Sequence, residues 1–129
     1  MISYGFKKEI SLPFQKAEAV VTDELKKRGF GILTRIDVKE KFKEKLGIDF
    51  PNYVILGACN PPYAHKAIQA EEDIGLLLPC NVIVYEKEGK TILAIMKPSA
   101  GMGMVRNDTL NQVATEVEAI LKEVFDSIK

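Results

Sequence analysis

A chain of 129 residues, 47% apolar and 28% charged, has the length and composition of one domain with its own hydrophobic core, spanning residues 1–129. Eighteen basic residues balance eighteen acidic ones, so no net positive field draws the chain to nucleic acid or to an anionic membrane. No apolar run approaches the roughly 20 residues that a membrane-spanning helix needs.

The first residues, Met1-Ile-Ser-Tyr-Gly-Phe-Lys-Lys, lack the charged and apolar segments of a secretory signal. The expected compartment is the cytoplasm, where two cysteines stay free thiols.

Ile2, Tyr4, Phe6 and Ile10 alternate with polar residues, which predicts a half-buried strand over 2–10. Ser11-Leu-Pro13 reads as a helix start, with Ser11 as the capping side chain. Ala17, Val21 and Leu25 then recur at helical spacing, and Gly29 after Lys26-Lys27-Arg28 marks the stop. A short strand over 31–36 follows. Asp37, with Glu40 three residues on, predicts a capped helix through Leu46, ended by Gly47. The run Asn52 to Ala58 shows no polar alternation after Tyr53, so it reads as a strand buried on both faces.

Asn60-Pro61-Pro62 predicts a helix cap and first turn, with the helix continuing to about Ala70. Ile74 to Leu78 is equally compatible with a helical turn and a strand. Cys80 to Glu86 and Thr91 to Met96 flank a turn signal, Glu86-Lys-Glu-Gly-Lys90, and form a hairpin. Residues 98–107 read as a loop. From Asp108 to Ile128, Leu110, Val113, Val117, Ile120, Leu121, Val124 and Ile128 form one helical stripe opposite charged residues. Single strands early and a hairpin late predict a mixed or mainly antiparallel sheet with long helices over one of its faces, an α+β sandwich.

The chemistry gathers around three residues. Cys59 ends a strand just before a helix start, where backbone N–H groups and the helix dipole favour a thiolate. It is a candidate nucleophile or soft metal ligand, or else a small buried apolar residue. Pro79-Cys80-Asn81 repeats the Cys59-Asn60-Pro61 step at another strand end, so Cys80 is a candidate resolving thiol or second ligand. His65, the only histidine, lies one turn into the helix and completes a possible zinc set of Cys59, His65 and Cys80, although the spacing matches no metal motif. No cofactor at all is the other expectation.

Asn60, His65 and Asn81 are candidate ligand-binding residues beside the cysteines. Met102 and Met104, flexible thioethers between glycines, are candidates for lining a pocket or for simple packing. Glu71-Glu72-Asp73 reads either as a carboxylate cluster or as a polar helix end. The four tyrosines, Tyr4, Tyr53, Tyr63 and Tyr85, are too scattered for a base-stacking surface.

Several segments together resemble a known family: Gly29-Phe-Gly-Ile-Leu-Thr-Arg-Ile-Asp-Val-Lys-Glu, Lys45-Leu-Gly-Ile-Asp-Phe, Tyr53-Val-Ile-Leu-Gly-Ala-Cys-Asn-Pro-Pro, and Glu71-Glu-Asp-Ile-Gly-Leu-Leu-Leu-Pro-Cys-Asn-Val. They resemble the bacterial and archaeal domain-of-unknown-function family 302 (DUF302). The resemblance implies a TBP-like α+β fold with a curved antiparallel sheet, often as a homodimer. It implies architecture only and carries no DNA binding. Two functions are therefore expected in alternative. One is binding of a small ligand or metal, or thiol chemistry, at a cysteine-containing pocket. The other is a non-enzymatic homodimeric domain with structural cysteines.

Overall fold

The computed structural model describes residues 2–129. Its centre is one five-stranded antiparallel sheet of order β1-β5-β4-β3-β2. The strands are β1 (Gly5–Ile10), β2 (Gly31–Asp37), β3 (Tyr53–Cys59), β4 (Cys80–Lys87) and β5 (Lys90–Met96). The expected α+β architecture with a mainly antiparallel sheet is what the chain forms.

Helix α1 (Phe14–Lys27) joins β1 at one edge to β2 at the other, so it crosses the whole sheet. It buries Ala17, Val21 and Leu25. Helix α5 (Asp108–Ser127) lies beside it and buries Leu110, Val113, Ala114, Val117, Leu121 and Val124; of the predicted stripe, Ile120 is half-buried and Ile128 lies just past the helix end. Their partners on the sheet are Val54, Leu56, Val82, Val84, Leu93 and Ile95, each within 1% of complete burial. That alternation of every second residue turns one face of the central strands into core. Asn107, one residue before the predicted start, caps α5 by accepting from the Leu110 amide at 3.0 Å.

Several local expectations are corrected. The first strand begins at Gly5 rather than Ile2. Ser11 does not cap α1: its amide donates to the Lys129 carbonyl at 3.1 Å, and Pro13 occupies the cap position without a side-chain bond. Residues 98–107 are not all loop, because Pro98–Met102 forms a short helix, α4. The ambiguous stretch is a 3-10 helix, Glu72–Leu77, after α3 (Pro61–Ala70) ends at Glu71. Glu72 and Asp73 thus sit in the first turn of a new helix, where its dipole favours acids.

β3 is fully buried on the face toward α1 and α5, and on the other face only at Gly57. Tyr53 and Ile55 are half-buried, because the opposite side of the sheet carries no long helix. Its β2–β3 corner alone is covered, by α2 (Val38–Leu46), which brings Phe42 against Phe50, Ile36 and Ile55. The cap predicted for α2 is present, with Asp37 accepting from the Glu40 amide at 3.0 Å.

Candidate functional site

An apolar pocket of about 280 Å³ opens where the ends of β3 and β4 meet α3, α4 and α5. The strand register explains why the two Cys-Asn steps converge there. Ala58 pairs with Cys80, so the last residues of β3 and the first of β4 lie side by side. Cys59, one position further, pairs with Gly31 at the start of β2. Both cysteines line the pocket, and neither is in a disulfide.

The helices complete the wall. From α3, Tyr63, Ala64, Ala67 and Ile68 face the pocket at helical spacing, and α5 adds Val113, Ala114 and Val117. The three alanines supply little volume, which leaves the space open. Met102 from α4 is 4% exposed and lines the opposite side. At the mouth stands Leu33. A bulge between Ile32 and Thr34 throws it out of the β2 ladder, so it is 67% exposed yet touches the pocket with Ile68.

Asn60 lies at the pocket edge as the residue before α3, with extended backbone and no side-chain cap bond. Its amide rests on Gly29. A Cβ added at Gly29 would lie 3.1 Å from Asn60 Nδ2, and the φ of +87° there suits glycine, so the α1 stop also seats Asn60.

The other expected residues stand apart. His65 is exposed, because the turn of α3 that aims Tyr63, Ala64, Ala67 and Ile68 inward aims residue 65 outward. Among the described residues no three His, Cys, Asp or Glu side chains converge to hold a metal ion, so Cys59, His65 and Cys80 are not brought together as a ligand set. Asn81 is exposed on the opposite face of β4 from Cys80, and Met104 is 73% exposed beyond α4. Glu71 is engaged locally, accepting from Asn107 Nδ2 at 3.3 Å.

The apolar wall residues were missed at the sequence level. Their trace was the Tyr63-Ala64-x-x-Ala67-Ile68 spacing and the unusual smallness of Ala114 beside an otherwise bulky stripe.

Burial, with a smaller contribution from nearby Cys59, pushes the Cys80 thiol up to about 11 from 9.0. A thiol that titrates near 9 in the unfolded chain and near 11 in the fold stabilises the protein fully below pH 9. That stability is lost as pH rises toward 11, and amounts to about 3 kcal/mol for two pH units. Urea unfolding at pH 8 and pH 10.5 is therefore expected to show a larger alkaline loss for the native chain than for Cys80→Ala. Equal losses would refute the assignment.

Among the described residues no helix is long and apolar enough to cross a membrane. No curated protein matches the chain. A crystal structure of an uncharacterized conserved protein, DUF302, from Bacillus stearothermophilus is similar to it at a TM-score of 0.92 and 30% identity, over 99% of this chain and 100% of that one. The family model described as domain of unknown function DUF302 matches residues 6–128. Matched over nearly its whole length in both sequence and shape, the chain belongs to the DUF302 family.

Proposed function

We propose that this protein binds a small apolar molecule in the pocket between the strand ends and α3, α4 and α5, with Cys59 as the thiol that meets it. The observation that carries this reading is the pocket itself: an apolar concavity built by six elements, lined by half-buried Cys59 and by Asn60, whose side-chain amide makes no hydrogen bond among the described residues. Cys80 is a neutral wall group here, because its raised pKa leaves almost no thiolate at pH 7.

Native protein treated with a neutral alkylating reagent is expected to take one adduct, at Cys59, while Cys80 reacts only after denaturation. Naphthol, a two-ring probe, is expected to slow the Cys59 reaction several-fold. Equal reactivity of the two thiols, or a Cys59 rate indifferent to the probe, would count against the reading.

A second reading, self-association, is favoured by the uncovered side of the sheet. Ile92 and Met96 of β5 and Ile83 and Tyr85 of β4 share that face by alternation and are half-buried, away from the corner that α2 covers. Tyr53 and Tyr85 stack there with centroids 5.1 Å apart. A contiguous apolar patch of this kind commonly marks an interaction surface. If two copies join through it, light scattering gives a dimer mass, and Ile83→Asp, at the middle of the face, gives a folded monomer. A monomeric native chain would exclude this reading.

A further inference from the structure

We propose that the molecule held in the pocket is uncharged, of about two-ring size, and carries one neutral hydrogen-bonding group that meets the Asn60 amide. The inference rests on the binding reading above and adds the ligand's charge, size and polar contact.

Charge comes first. None of the seventeen lining residues is Asp, Glu, Lys, Arg or His, in a chain that is 28% charged. An ion placed among them would lose its hydration without gaining a partner, a cost far beyond what apolar contact returns. The nearest cation on α3, Lys66, sits over the Tyr63 ring with Nζ 5.5 Å from the centroid, outside the lining.

The start of α3 does not rescue an anion either. Pro61 and Pro62 occupy its first two positions and have no N–H, and the Ala64 amide is already bonded to the Asn60 carbonyl at 2.9 Å. Only the Tyr63 amide is left to donate from this turn, too little for the donor cluster that anion-binding helix starts present.

Size follows from volume. An apolar cavity of about 150 Å³ admits benzene, so about 280 Å³ suits two fused rings or a medium alkyl chain. The polar contact follows from Asn60. Its side chain does not cap α3 and makes no hydrogen bond among the described residues, so its amide can donate to or accept from a hydroxyl or carbonyl.

The test is an amide NMR titration of the intact chain with naphthol, naphthoate, octanol and octanoate, followed at Ala64, Ala67 and Ala114. At least one neutral probe is expected to bind, with its carboxylate counterpart roughly ten-fold weaker or worse. Octanoate is expected to regain affinity as pH falls through its own pKa. Carboxylates binding as tightly as the alcohols would overturn the uncharged ligand and leave the pocket reading standing, whereas no binding by any of the four would overturn the pocket reading itself. Asn60→Ala is expected to weaken naphthol roughly five-fold and leave naphthalene unchanged. An equal loss for both, or none, would overturn the polar contact.

Discussion

Replacing Gly57 by alanine is expected to cost about 2–3 kcal/mol of stability, the upper part of the roughly 1–3 kcal/mol that forcing extra methyl groups into a filled site costs. For a domain of this length that lowers the melting temperature by about 10 °C. Gly57 lies on β3, two residues before Cys59, and is buried on the face away from α1 and α5. A Cβ there would stand 2.2 Å from Thr34 Oγ1 and 2.7 Å from Pro79 Cγ, both well inside contact distance. Thr34 is its cross-strand partner on β2, and Pro79 immediately precedes Cys80.

The added methyl group would therefore push apart β2 and the entry to β4, the two segments that carry Leu33 and Cys80 into the pocket. Thr34→Ala removes the nearer of the two atoms and is expected to recover part of the loss in a double-mutant cycle. Urea midpoints of the four chains decide it. Additive losses would show that the Thr34 contact is not the cause.

Ala64→Phe is expected to abolish naphthol binding, with affinity falling by roughly a hundred-fold or more, while the melting temperature holds or rises. Ala64 faces the pocket from the first turns of α3 and is half-buried, so a larger side chain is directed into open space. The pocket has room for a benzene-sized group, so the phenyl ring takes the ligand's place and strains no packed wall. A melting temperature that falls steeply would mean the wall is already filled. Retained binding would place the ligand elsewhere. Oligomeric mass should not change, because α3 and the open sheet face lie on opposite sides of β3 and β4.

How much of this was legible beforehand differs by element. The stripe from Leu110 to Val124 announced α5 because it repeats at the helical period and is bounded by polar residues. The hairpin was equally plain, since Glu86-Lys-Glu-Gly-Lys90 is a turn signal between two strand-like runs, and in the fold Glu88 and Gly89 adopt the positive φ that such a turn needs. β3 misled, because its half-exposed residues are as apolar as its core residues. Apolar character alone does not distinguish a strand covered on both sides from one with a bare apolar face.

The cysteines were found because thiols are rare and their sequence contexts match. Their meeting depended on the Ala58–Cys80 register, a pairing between strands that local spacing does not encode. His65 was drawn in by its chemistry, but its direction depends on the phase of α3. That phase is set by which alanines pack inward. The pocket was invisible for a related reason: a cavity is made by what small side chains leave out, on elements far apart in the chain.

The placement of β1 has a consequence for how the molecule comes together. Its sole partner in the sheet is β5, so Gly5 pairs with Met96 and Ile10 with Thr91. The β4–β5 hairpin can close locally, but the outer strand must wait for a segment some eighty residues later in the chain. Loop closure over that span is entropically demanding, and topologies dominated by distant pairings fold slowly. During synthesis the first strand emerges long before its partner and must stay unpaired. Its Lys7-Lys8-Glu9 stretch gives that waiting edge charges, which discourage wrong pairing with other chains.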